Sequence, residues 1–176
     1  MRLLIYGFGP YKHFRENITQ QIIRKLPCRR GLRKIVFPVR FHSRQFINAV
    51  GRHRPDVILG LGQCSGGRRV RIERRAVNRR RQDRTGPPRS ILPGRAKWLG
   101  ASLRLKPAQD ARLSYDAGDY VCNYSMYVIL DHLKRRRLAR RFGFLHIPLQ
   151  CDPAKAVGFL LKVIRGVTSQ GRFRPA

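Results

Sequence analysis

Acidic residues are what this chain has least of. Its 176 residues carry 9 aspartates and glutamates against 39 lysines and arginines, a formal net charge of +30, and its only glutamates are Glu16 and Glu73. A surface this basic attracts polyanions. The basic clusters fall at 29–34, 68–84 and 134–141, the kind of footprint that gives salt-sensitive, non-specific binding to nucleic acid or anionic lipid. The clusters lack interleaved aromatics and match no helix-turn-helix, RRM or KH pattern, so a solvated, arginine-biased surface is the simpler account of them.

Cysteine is scarce as well. Cys28, Cys64, Cys122 and Cys151 are widely spaced, with no CxxC pair and no histidine at zinc-ligand spacing, which argues against a disulfide framework and against a metal site. Each is therefore either a small buried hydrophobe or a reactive thiol. Long apolar runs are absent too: nothing approaches the roughly 18 residues of a spanning helix, and MRLLIYGFGP is too short an apolar stretch for a signal peptide. A cytoplasmic protein without a membrane partner is expected. Two glycine-rich stretches, GFGP at Gly7–Pro10 and GLGQCSGG at Gly60–Gly67, match neither GxGxxG with its following acid nor GxxxxGK[ST]; they read as tight strand-to-loop turns.

What is present is a chain 42% hydrophobic, enough for one ordinary core and one domain over residues 1–176. Short apolar runs at Leu3–Tyr6, Ile35–Val39, Val57–Leu61 and Phe142–Ile147, bounded by glycine, proline or charge, predict buried parallel strands, with a further strand at Arg112–Tyr115. Between them, Ile18, Ile22, Ile23 and Leu26 have helical spacing, as do Phe46, Ile47 and Val50 with Ser43 as cap. A third helix is predicted over about 123–137, burying Met126, Tyr127, Leu130 and Leu133. A fourth opens on Asp152 as cap and Pro153 as first residue, with Gly166 as its end. Alternating strands and helices predict an α/β fold, a three-layer α/β/α sandwich with a mostly parallel central sheet and its site at the carboxyl ends of the strands. Residues 79–110, rich in arginine, proline and glycine, read as a long loop or a degenerate lid.

Cys122, in DAGDYVCNYSMY, falls at the start of the third helix. There, backbone N–H groups and the helix dipole favour an anion, so the thiol is expected below its ordinary pKa of about 8.5, with an oxyanion site beside it. His146 closes the run GFLHIPL at the end of a strand. Alone it would be read as structural; it gains weight because one helix and its return connection separate it from Cys122. A Cys–His couple needs a group that fixes the imidazole, and Glu73 in RIERRAVN is the candidate; the alternative is an ion pair with Arg74 or Arg75.

RIERRAVN, SYDAGDYVCNYSMY and GFLHIPL, in that order, resemble the three catalytic blocks of pyroglutamyl peptidase I, and YGFGPYKHFREN resembles the family's N-terminal motif. The resemblance implies a cysteine exopeptidase with Cys122 as nucleophile, His146 as base and Glu73 as orienting carboxylate. It implies peptides with an N-terminal pyroglutamate as substrates, no metal or organic cofactor, and a homo-oligomer. It also implies that Phe8 and Tyr11 sandwich the pyrrolidone ring, that Asn17 orders the pocket, that the turn at Gln63 lines it and that Tyr120 supplies a further wall. The chain departs from the family pattern in three places. The stretch between Glu73 and Cys122 is short and lacks a helix, RRRQDR replaces an acidic loop, and Lys12, His13 and Phe14 replace a second glycine pair. Two alternatives stay open: a related cysteine amidase with another acyl substrate, and an inactive homologue acting as a basic, nucleic-acid-binding protein.

Overall fold

The computed structural model describes residues 1–11, 15–81 and 86–170, so Lys12, His13, Phe14 and the QDR of RRRQDR lie outside the described residues. The chain opens with β1 (Leu3–Phe8), α1 (Ile18–Lys25), β2 (Leu32–Phe37), α2 (Ser43–His53) and β3 (Val57–Cys64), the β-α-β-α-β order read from the apolar runs. Then follow β4 (Val70–Glu73), β5 (Arg75–Val77), β6 (Trp98–Gly100), β7 (Ala111–Ser114), α3 (Val121–Arg135), β8 (Arg141–Pro148) and α4 (Pro153–Gln170). Among the described residues, no helix is long and apolar enough to cross a membrane.

The six-stranded sheet has the order β2-β1-β3-β8-β4-β7. The first four strands are mutually parallel, β4 runs antiparallel to β8, and β7 runs parallel to β4. Both faces of the sheet are covered, and side-chain alternation divides the core in two. Leu4, Tyr6, Phe8, Ile58, Phe142 and Phe144 pack toward α2 and α3, whereas Leu3, Ile5, Val57, Leu59, Leu145 and Ile147 pack toward α1 and α4. Burying one such Leu, Ile or Phe side chain contributes about 1.5–3 kcal/mol. The result is a three-layer α/β/α sandwich with a mostly parallel sheet.

The helix ends follow local chemistry. Asn17 caps α1, its Oδ1 accepting from Thr19 N at 3.0 Å. Asp152 caps α4, accepting from Lys155 N at 2.8 Å. Ser43 does not cap α2: it is the first helical residue, and His42 holds the cap position without a side-chain bond. Gly166 does not end α4 either. It sits exposed within a helix that continues to Gln170, because a glycine costs only about 1 kcal/mol there while Leu160, Ile164 and Val167 are buried on both sides of it. At the end of α3, Leu138 N donates to Leu133 O at 2.9 Å and Arg137 N to Lys134 O at 3.1 Å, a Schellman closure that puts Arg137 in the left-handed region, φ 49°.

Two elements depart from the sequence reading. Gly60 and Gly62 lie inside β3 rather than in a turn; a Cβ on Gly60 would come 2.4 Å from Phe144 Cδ2 and 2.6 Å from Tyr6, so the glycine is there for close packing. The 79–110 stretch, expected as a long loop, carries β6, which pairs antiparallel with β5, and it is pinned to the body. Asn78 Oδ1 accepts from Ile91 N and Leu92 N, both at 2.9 Å, and Tyr127 Oη donates to Ala96 O at 2.6 Å.

Candidate active site

The carboxyl ends of β1, β3 and β8 and the start of α3 surround a cleft of about 430 Å³. Cys122, His146, Phe8, Tyr11, Asn17, Gln63 and Tyr120 all line it, and Glu73 stands behind His146.

Glu73 and His146 come together through strand pairing. β4 runs against β8 with Arg71 opposite His146 and Glu73 opposite Phe144, so Arg71, Glu73 and His146 share one face of the sheet. Glu73 Oε1 lies 2.7 Å from His146 Nδ1. Both residues are buried, at 1% and 4% exposure, so this contact is shielded from water and screened little by salt. With the carboxylate accepting, Nδ1 is the nitrogen that carries the shared proton.

Cys122 arrives from the opposite layer, as the second residue of α3. Its loop is held by the residues that follow Glu73. Arg74 N donates to Ser114 O at 2.7 Å, Arg75 Nε to Tyr115 O at 2.7 Å, Arg79 to Asp116 Oδ1 at 3.1 Å and Arg81 Nε to Asp119 Oδ2 at 2.9 Å. The fully buried Asn123 accepts from Val77 N and donates to Val77 O and Arg79 O, each at 2.8 Å. On the other side, Ser125 Oγ donates to Cys122 O at 2.8 Å and accepts from the Tyr6 hydroxyl at 3.0 Å. Burial raises the Tyr6 pKa far above the ordinary phenol value, which keeps that hydroxyl a donor.

Gly62 is where the thiol and the imidazole meet. A Cβ built on it would lie 2.7 Å from His146 Cδ2 and 2.8 Å from Cys122 Sγ, so both atoms lie within 2.8 Å of one point. Cδ2 is bonded to Nε2, so the sulfur and the Nε2 side of the ring both flank this glycine. Among the described residues, no hydrogen bond joins Sγ to the ring.

The electrostatics correct one expectation. Cys122 was expected to be a ready thiolate; instead burial, then the charge of Glu73 and of Cys64, push its thiol up to about 12, against a smaller opposing pull from Arg71. Burial thus favours the protonated thiol. Arg71 escaped the sequence reading: it lines the cleft, and its Nε lies 3.9 Å from Glu73 Oε1. Its signal was the strict alternation Val70-Arg71-Ile72-Glu73, which marks a half-buried strand.

The pocket residues divide by contact. Phe8 is 1% exposed and packs edge-on against Tyr6 and Phe46, which makes it a floor. Tyr11 and Tyr120 pack together with centroids 5.4 Å apart, and Phe41 meets Tyr120 edge-on at 5.3 Å, a wall on one side. Asn17 caps α1, while Gln63 Oε1 accepts from Ile18 N at 3.0 Å, which ties the end of β3 to that helix. Tyr120, at the cap position of α3, makes no side-chain cap bond, and Val121 and Cys122 line the cleft.

A family model described as pyroglutamyl peptidase matches residues 1–85 and 99–160. The chain belongs to the pyroglutamyl peptidase family. Family relatives include the pyrrolidone-carboxylate peptidase of Vibrio vulnificus, 31% identical over 88% of this chain and 82% of its own length. The Bacillus subtilis enzyme of that name is 29% identical over 84% and 78%. A solved structure of a mutant pyrrolidone carboxyl peptidase from the hyperthermophile Pyrococcus furiosus superimposes with a TM-score of 0.73 at 26% identity, covering 84% of this chain and 81% of that one. The internal gap in the family match, 86–98, falls in the stretch that departs from the family pattern.

Proposed function

We propose that the protein removes an N-terminal pyroglutamyl residue from peptides, with Cys122 as nucleophile, His146 as general base and Glu73 as the carboxylate that orients it. The single observation that carries this reading is the convergence at Gly62: a buried carboxylate 2.7 Å from Nδ1 of a histidine that flanks this glycine together with the Cys122 thiol from the first turn of α3. Membership in the pyroglutamyl peptidase family supports the substrate class.

Because the resting sulfur is a thiol, attack and proton loss are coupled. As the S–C bond forms to the pyroglutamyl carbonyl, the S–H proton passes to His146 Nε2 and the carbonyl π pair moves onto oxygen, where the uncapped amides of α3 stabilise it. Collapse breaks the C–N bond, and the imidazolium gives its proton to the departing amine. Water then adds to the thioester, losing its proton to Nε2; the second collapse breaks the C–S bond, and the proton returns to sulfur with release of pyroglutamate. Glu73 accepts from Nδ1–H throughout, which holds that tautomer and stabilises the imidazolium.

The ring of pyroglutamate is flat, neutral and half apolar. An aromatic floor at Phe8 and a wall of Tyr11 and Tyr120 suit it, while Asn17 and Gln63 act by ordering the end of β3 and the start of α1. A panel of fluorogenic amides carrying pyroglutamyl, prolyl or glutaminyl groups tests the assignment. Pyroglutamyl should be preferred by at least tenfold in kcat/KM, since a lost lactam contact leaves a polar group unpaired. Equal or better turnover of the prolyl or glutaminyl amide would reassign the site to another acyl group.

A further inference from the structure

The second cavity of interest lies away from the catalytic cleft, between the β5–β6 hairpin and the end of α3. It has a volume of about 690 Å³ and is lined by Lys97, Trp98, Lys134, Arg137 and Arg140, with Leu99, Leu130, Leu133 and Leu138 beneath and no acidic residue. Trp98 is the only tryptophan of the chain and is 57% exposed. A large ring left this open on a structured edge forgoes most of the burial that a tryptophan in a core receives.

Several observations make this groove a built feature. The hairpin that carries Trp98 is fixed, by its pairing with β5 and by the Tyr127–Ala96 bond, so the ring is presented on a rigid support. Lys97, Lys134 and Arg137 pair with no acid among the described residues, and the nearest acid on α3, Asp131, faces Arg135 at 4.0 Å. Arg137 holds the left-handed position that ends α3, at φ 49°, where glycine would sit without cost and a side chain costs roughly 1 kcal/mol. Finally, residues 86–98, which include Lys97 and Trp98, are the internal segment that the family match omits.

We propose that this groove binds single-stranded nucleic acid, with one base stacked on Trp98 and the adjoining phosphates held by Lys134, Arg137 and Lys97. An exposed aromatic ring beside unpaired cations is the combination that single strands use, because every base offers a π face and every phosphate a charge. A purely polyanionic ligand would leave the ring without a role, and the +30 charge alone would spread binding over the whole surface.

Trp98 reports on its own site through its fluorescence. The test is a titration of the full-length protein with oligothymidylate, with inorganic polyphosphate of equal charge and with vesicles of mixed phosphatidylcholine and phosphatidylserine. It is repeated with Trp98→Ala, followed by mobility shift, and with the double variant Lys134→Ala, Arg137→Gly. The expected result is saturable quenching of Trp98 by the oligonucleotide and not by polyphosphate. Trp98→Ala should weaken oligonucleotide binding roughly tenfold, and the double variant should lower the slope of log K against log salt by about 1.4, two phosphate contacts at 0.7 each. Pyroglutamyl amide turnover should stay unchanged in both, which separates this proposal from the catalytic one. Binding that leaves the fluorescence untouched and is equal in Trp98→Ala would place the nucleic acid on other basic clusters and overturn the proposal. So would a blue shift on vesicles without quenching by oligonucleotide, which would assign the groove to an anionic lipid surface.

Discussion

Adding one methyl group at Gly62 should separate the nucleophile from its base while leaving the fold standing. A Cβ there meets His146 Cδ2 at 2.7 Å, Cys122 Sγ at 2.8 Å and Phe144 Cε1 at 2.8 Å, all closer than carbon and sulfur atoms approach without repulsion. Something must move by about 0.7–1.3 Å to restore ordinary contact at 3.5–4.0 Å. Phe144 is fully buried and cannot retreat, and His146 is tied to Glu73, so the shift falls on the Cys122–His146 pair. Overpacking of this kind costs about 2 kcal/mol, a fall in Tm of roughly 4–8 °C for a chain of this size. Misplacing reacting groups by that much costs about 100-fold in rate. The assay is kcat/KM on a pyroglutamyl amide beside thermal unfolding, with two controls. Gly66→Ala, where nothing lies within 4 Å, should be silent in both. Gly60→Ala, which meets Tyr6 and Phe144 but neither catalytic group, should lose stability out of proportion to activity. Wild-type kcat/KM in a folded Gly62→Ala protein would refute the claim that thiol and imidazole meet above this glycine.

Four more outcomes follow from the same geometry. Glu73→Gln should leave KM within a few fold and cut kcat by about 100- to 10,000-fold, since the amide no longer fixes the imidazole tautomer; a loss confined to KM would count against the orienting role. Alkylation of Cys122 by iodoacetamide should lag behind that of an ordinary thiol at pH 8 and keep rising beyond pH 10, because the folded thiol holds its proton until about 12; a plateau by pH 9 would contradict that balance. Asn123→Ala should destabilise by about 2–4 kcal/mol in urea unfolding, as it strips the buried Val77 N and two carbonyls of their partners. Arg137→Gly should stabilise by about 1 kcal/mol, by relieving the left-handed residue at the end of α3.

How much of this was legible depended on the range of the forces involved. α1, α3 and α4 were readable from apolar spacing and from Asp152-Pro153, because capping and periodicity act within one or two turns. β1, β2, β3 and β8 were readable because a doubly covered parallel strand is a continuous apolar run. The Ser43 cap failed for a local reason: the cap position fell one residue earlier, on His42, whose side chain makes no cap bond. Sequence alone makes Gly60 and Gly62 read as turn glycines, since the residues that crowd them, Tyr6, Phe144, His146 and Cys122, come from three distant segments.

Long-range pairing was the least legible level. Nothing near Val70–Glu73 tells that β8 inserts between β3 and β4, yet that insertion brings Glu73 to His146. The β5–β6 hairpin was hidden for the same reason: its partners are far apart in a proline- and arginine-rich stretch, and the contacts that pin its described residues come from Asn78 and Tyr127 rather than from local periodicity. The raised Cys122 pKa was likewise beyond reach, because the helix start that favours a thiolate is visible in sequence and the burial that opposes it is not.

The central claim is that Cys122 cleaves pyroglutamyl amides, and it is tested most directly by following release of a fluorogenic amine from its pyroglutamyl amide at neutral pH under reducing conditions. Wild type and Cys122→Ala are compared, with circular dichroism to confirm that both are folded. The account predicts turnover by the wild type and none above background by the folded variant. Equal turnover by the two proteins, or none by a folded wild type, would contradict it.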